Sequence, residues 1–399
     1  MIYYTVIWCE VVPIYGFHNP EADDISENTH KEASPLKYWR GYLIAAIMVL
    51  CTWALGQFCA AHVQLVDMVY PYVDRIIIDY LANWSANFAG CLWQTAVVFL
   101  MVLVVASAIL MIILRWNPIQ WFGWILAAFS ILNLLNVGIY GLNEYSGPIA
   151  EDIRLEVNEY SIGSLERAAI YYRDKANEYA DRVSRNSDGS VRFQEFEKMA
   201  QQAAEGFEYL TFERTYPIFS GTTVPVKQLG WVGRYDGVTG VTVGITGESA
   251  VNPNVPAVGM PFAICHEMSH RMCIYNESDA SFGGFLACTN NSDEEFIYSG
   301  YLMAFRNCYN ALSSIRSQLG SAALDRVMSG VDPQVMEDMG TYNTFLGEKA
   351  AEVDVELCNL LVSWHIQEVA QYEDAQKETE FDPMDETDDR LQDIVQAGD

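Results

Sequence analysis

Three stretches of the chain carry no charged residue: 41–61, 80–114 and 116–143. A helix crossing the hydrocarbon of a bilayer needs about 20 mainly apolar residues. Each stretch is long enough, so three membrane spans are expected within residues 37–143. Beyond them, polar and apolar positions interleave. Residues 148–183 and 191–210 place apolar side chains at three-and-four spacing, the period of an amphipathic helix. Helices are expected again over 295–319, 321–328 and 342–371. Between these helical blocks, Gly and Pro punctuate short β-branched runs. There "GVTVGI" (residues 240–245) alternates as a strand does.

These patterns predict an α-helical anchor of three transmembrane helices, residues 37–143, followed by a mainly α domain of α+β type with a small sheet, residues 144–372. A polar segment expected to be disordered, 1–36, precedes the anchor, and an acidic tail, 373–399, follows the domain. Residues 1–17 lack a basic start and contain Glu10 and Pro13, which makes them a poor signal peptide.

Charge adds an orientation. Lys31, Lys37 and Arg40 precede the first span and Arg115 separates the second from the third, whereas Arg75 between spans one and two is outnumbered by Asp67, Asp74 and Asp79. Basic residues mark the cytoplasmic side, so everything after residue 143 is expected outside. That part holds 18 Lys and Arg against 43 Asp and Glu. So acidic a domain argues against nucleic acid or an anionic lipid surface as its partner. The nine cysteines form no CxxC pair and suggest no disulfide framework.

Chemistry concentrates in "CHEMSHRMCIYNESDASF", residues 265–282. On a helix, positions i and i+4 share a face, so His266 and His270 can aim ring nitrogens at one ion. Glu267 stands one residue round, where it can act as general base on a water acidified by zinc. A third ligand cannot come from a straight continuation, because Glu277 would then lie ~10 Å beyond His270 at ~1.5 Å per residue. The chain must turn back near Ile274–Asn276 and start a new helix with Asn276 as N-cap. Small residues Ala280, Ser281, Gly283 and Gly284 would let that helix pack close to the first. Glu277 is the expected third ligand, with Asp279 as substitute.

The run from "TGES" through this motif to "FIYSGY" resembles a bacterial membrane family catalogued as domain of unknown function 3810. That family is similar to zincin peptidases of gluzincin type, in which the HExxH helix is followed by a glutamate. The likeness covers most of residues 40–365. It implies zinc on His266, His270 and Glu277, with Glu267 as general base. It also implies a zincin-like domain outside a bacterial cell membrane, acting on a peptide or protein substrate. The family pattern has glycine where Cys273 stands, an acidic pair at Ser278 and Asp279, and asparagine at Ser281. These departures put in doubt the tight turn after the motif helix and the support of a ligand from behind. The expected function is a membrane-anchored zinc metallopeptidase, with a non-catalytic membrane sensor or scaffold as the alternative; the oligomeric state is left open.

Other features read as structural. Asn186, Asp188, Gly189, Val191 and Glu195 sit at the offsets of a calcium loop, but Ser184 occupies its first position, so an Asp-Gly turn is expected. Glu248 reads as a solvated turn residue. Tyr298, Tyr301 and His365 could stabilise an oxyanion, but their helical settings point to core packing. The strand "GVTVGI" could pair with an extended substrate.

Overall fold

A computed structural model describes residues 36–380 apart from 222, 231–236 and 320–321. The expectations for the N-terminal segment, and for the tail past Glu380, fall outside these residues. Among the described residues three helices are long and apolar enough to cross a membrane, consistent with a multi-pass membrane protein: α1 (Leu36–Ala61), α3 (Leu92–Ile113) and α4 (Pro118–Ile139). Asn117 starts α4 by accepting the backbone N–H groups of Ile119 and Gln120, and Pro118 occupies the first helical position, where no N–H is needed.

Helices α1 and α4 run parallel. At one end Tyr42 donates its hydroxyl to the Ile119 carbonyl, and Gly41 meets Gly123 so closely that a Cβ on Gly41 would overlap backbone. Small residues permit such close approach between apolar helices. Toward the other end, Gly56 faces Tyr145. The segment between α1 and α3, expected as a loop between two spans, is not one. Most of it is a 23-residue helix, α2 (Val63–Ser85), and the uncharged run 80–114 is split between α2 and α3 by a turn at Gly90, φ +71°.

The C-terminal region is mostly helical. α5 (Ile149–Asp152) is a single turn, and α6 (Ile162–Ala180) starts at a Ser161 cap. The single helix expected over 148–183 is therefore two, broken where Arg154 takes φ +58°. α7 (Phe196–Phe212) follows. A mixed three-stranded sheet comes next: β1 (Lys227–Gln228) pairs in parallel with β3 (Glu248–Val251), and β2 (Gly240–Val243) pairs antiparallel with β3 from the other side. The strand expected in "GVTVGI" is thus β2, at an edge of the sheet.

The motif helix α8 (Met260–Arg271) packs on this sheet and on α9 (Glu277–Thr289). Helices α10 (Glu294–Leu319), α11 (Ala322–Met328), α12 (Pro333–Leu346) and α13 (Val355–Glu380) complete the region. The long helix expected from 342 is interrupted between α12 and α13 by a 3-10 turn, Gly347–Ala351. One apolar core joins α6 to α13 through Tyr172, Phe207, Phe285 and Phe305, all almost completely buried.

Glu248 is not solvated. It is 2% exposed and accepts the backbone N–H groups of Leu92 and Trp93, both at 2.8 Å, and the Lys227 ammonium at 2.7 Å. A carboxylate on the orphan donors at the N-terminus of α3 offsets the positive end of that helix. The strand next to the motif helix is thereby fastened to a candidate membrane span.

Candidate metal centre

His266 and His270 project from one face of α8, their ring centroids 4.7 Å apart. The helix ends after Arg271. Cys273 donates its N–H to the His270 carbonyl and takes φ +70°, so the left-handed turn forms with a cysteine where glycine was expected. Such a conformation costs a side-chain-bearing residue roughly 1–2 kcal/mol. Its Sγ reaches Asp74 Oδ2 of α2 at 3.4 Å. Asn276 then caps α9 by accepting the N–H groups of Ser278 and Asp279. The chain has reversed, and Glu277 opens the second helix over the first.

Two glycines set how close the helices come. A Cβ on Gly284 would stand 3.0 Å from the His266 backbone nitrogen, and one on Gly283 would press on the Ser269 hydroxyl. At that separation Glu277 Oε2 lies 3.3 Å from His266 Nε2 and 3.5 Å from His270 Nε2. One ligand atom from each residue falls within 4.8 Å of the others, a spacing that could hold a metal ion. Asp279 is not in this group; its carboxylate accepts the Ile149 N–H at 3.2 Å and ties α9 to the chain leaving the anchor. The side chain of Glu277 is 81% exposed while both imidazoles are nearly buried, so the cluster faces solvent on one side only.

The rings are held from behind. His270 Nδ1 meets the Ile274 carbonyl at 2.9 Å; a carbonyl can only accept, so Nδ1 carries a proton and Nε2 is the nitrogen turned toward Glu277. His266 Nδ1 lies 3.2 Å from Ser281 Oγ. Ser281, the departure expected to weaken the grip on a ligand, is thus in contact with a ring of the cluster. Two imidazole nitrogens and a carboxylate oxygen, with one open side, make a donor set that could hold a metal ion.

Glu267 lies under the edge strand. A Cβ on Gly240 would overlap its carboxyl, so only glycine leaves room there. Thr242 donates to Glu267 Oε2 at 2.8 Å, and Ser249 donates to the Glu267 carbonyl at 2.9 Å. Burial pushes the Glu267 carboxyl up, opposed by His266 and His270. Hydrogen bonds from the two imidazoles hold Glu277 far below the usual carboxylate range. Thr242 and Ser249 were missed in the sequence. The alternation of "GVTVGI" marked a strand, but nothing local tells which of its side chains meets residue 267.

These groups open into a cleft of about 1400 Å³. Its walls come from β2, from α8 and α9, from Tyr72 and Arg75 of α2, and from Tyr140 just past α4. Tyr140 donates its hydroxyl to the His270 carbonyl at 3.2 Å, so the end of a candidate span touches the motif helix. Tyr298, Tyr301 and His365 line other ground. Tyr298 donates to Asp338, Tyr301 packs among Tyr171, Tyr179 and Phe285, and His365 stacks near Tyr171. The calcium-like offsets form a hairpin turn: Asp188 accepts from its own Ser190, and Arg185 occupies the Gly189 carbonyl.

The family model described as "Protein of unknown function (DUF3810)" matches residues 66–359, well over half of the chain. No curated protein and no solved structure matches it.

Proposed function

The chain belongs to the DUF3810 family, and from that premise we propose that it is a membrane-anchored zinc-dependent metallopeptidase with a zincin-like C-terminal domain. The observation that carries the reading is the convergence of His266, His270 and Glu277 beside a buried Glu267, at an open cleft with an edge strand.

His266 and His270 would hold the zinc through Nε2, and Glu277 through Oε2. Zinc, when bound, supplies a Lewis acid that polarises a carbonyl oxygen and makes water acidic near neutral pH. The Ile274 carbonyl and Ser281 orient the two rings for that task. An extended peptide lies along β2 and hydrogen-bonds to its backbone, which places one carbonyl over the cluster. Glu267 accepts a proton from the attacking water and passes it to the leaving amine. Thr242 fixes Oε2 of that carboxylate, so Oε1 is the oxygen that carries the proton.

The test is Glu267→Gln. It preserves size and can still meet Thr242, but it cannot take the proton. Zinc content and folding should be unchanged, while cleavage falls ~100-fold or more, the usual scale of a general base. Before a substrate is known, the same variant can be set against wild type in complementing a deletion strain. Equal rescue would favour a non-catalytic scaffold over a peptidase.

The reading also places the C-terminal region outside a bacterial cell, from the basic residues Lys37, Arg40 and Arg115 on the opposite side of the spans. A reporter fused after Gly147 should be active outside and one fused after Arg115 inside. The reverse pattern would put the cleft in the cytoplasm.

A further inference from the structure

Helix α2 has two faces of unlike character. Val66, Asp74, Ile78 and Ala82 are buried, whereas Leu65, Val69, Ile76, Tyr80 and Trp84 are exposed, Ile76 at 73% and Tyr80 at 72%. Three of its four charged side chains turn toward the rest of the protein. Asp67 accepts the Gly147 N–H, Asp74 accepts from Asn143 and Cys273, and Arg75 donates to the Pro217 carbonyl. Asp79, at the flank, and Asn83 are polar residues that the exposed side retains. A contiguous apolar face along a helix of ~34 Å requires a partner.

Its surroundings say which one. Because α1 and α4 run parallel, the chain between them crosses a bilayer an odd number of times, and α3 is the candidate span there. α2 is therefore not one of the crossings. Both halves of α2 are tied to the ends of candidate spans. Near its start Tyr70 donates to the Gly138 carbonyl at the far end of α4. At its finish Lys227 of the C-terminal region donates to the Ser85 and Gly90 carbonyls, immediately before α3 begins. A helix joined at both ends to spans, with three of its four charges turned inward and Tyr and Trp on its apolar side, matches what lies in the headgroup–acyl boundary.

We propose that α2 is an interfacial helix whose exposed apolar face is covered by the lipid of the leaflet beneath the C-terminal region. Tyr72 and Arg75 of the same helix line the cleft, so the cleft opens at the bilayer surface. On the peptidase reading, on which this consequence alone rests, substrates are polypeptides presented close to the membrane. The docking of α2 needs only that α1 and α3 cross the bilayer.

The test uses the full chain in phospholipid nanodiscs, with the photo-crosslinker p-benzoylphenylalanine placed singly at Ile76, Tyr80, Phe99 or Phe212. Phe99, exposed on α3, reports a lipid-facing site; Phe212, 74% exposed on α7, reports one away from the anchor. After irradiation, mass spectrometry should find phospholipid adducts at Ile76 and Tyr80 as at Phe99, and none at Phe212. If Ile76 and Tyr80 behave like Phe212, or give a crosslink to a second copy of the chain instead of lipid, the proposal is overturned. The readout involves neither zinc nor turnover, so its failure and that of the peptidase reading are distinguishable.

Discussion

Residues 265–282 and 184–195 both spell the spacing of a metal-binding motif, and only the first brings its side chains together. In the first, α8 and α9 are rigid elements pressed close at Gly283 and Gly284, and each imidazole has a partner behind its ring. In the second, the candidate ligands spend their bonds locally: Asp188 on Ser190, the Gly189 carbonyl on Arg185. Arg185 is itself held by Asp338 at 2.9 Å, so a cation already stands at that turn. A spacing proposes a site; free lone pairs on a common point decide it.

The largest effects expected follow from removing a ligand at the first segment. His266→Ala or His270→Ala should abolish stoichiometric zinc, measured on the purified full chain by elemental analysis, and Glu277→Ala should weaken it severely. Asp279→Ala should keep its zinc, since that carboxylate serves the Ile149 N–H instead. Full zinc retention in His266→Ala would break the comparison at its stronger side.

A smaller effect sharpens it. Ser281→Ala removes the partner of His266 Nδ1 but no ligand, and zinc affinity should fall by about 10–100-fold, the usual cost of losing such support. A competition titration with a chromophoric chelator reads this directly, and unchanged affinity would mean that the ring is held by packing alone. The smallest effect belongs to the second segment. Asp188→Ala should alter neither calcium nor zinc binding and should cost about 1 kcal/mol or less in stability, the scale of a local turn hydrogen bond. A calcium affinity that vanishes with Asp188 would make this turn a calcium site.

The legible and illegible parts of the site divide along sequence distance. The shared face of His266 and His270, the Asn276 cap and the close packing of Gly283 and Gly284 were all visible, because helix periodicity and capping act within a few residues. The choice between Glu277 and Asp279 was only leaned upon, since both follow the same cap and differ by about half a turn. Glu248 read as solvated because its partners, Leu92 and Trp93, lie far back in the chain. The same holds for Thr242 beneath Glu267 and Asp74 beside Cys273.

What the sequence by itself determined is the set of apolar runs long enough to span a bilayer, the strand in "GVTVGI" and the helix that aligns two histidines. Each follows from composition or period within a single element, where backbone geometry leaves little choice. Only the tertiary structure decided that Glu277 rather than Asp279 meets the histidines, that Glu248 fastens the sheet to α3, and that α2 lies beside the cleft with an apolar face outward. The first depends on how α9 is rotated against α8, and the other two on which distant elements pack together; no local rule encodes a contact between residues a hundred positions apart.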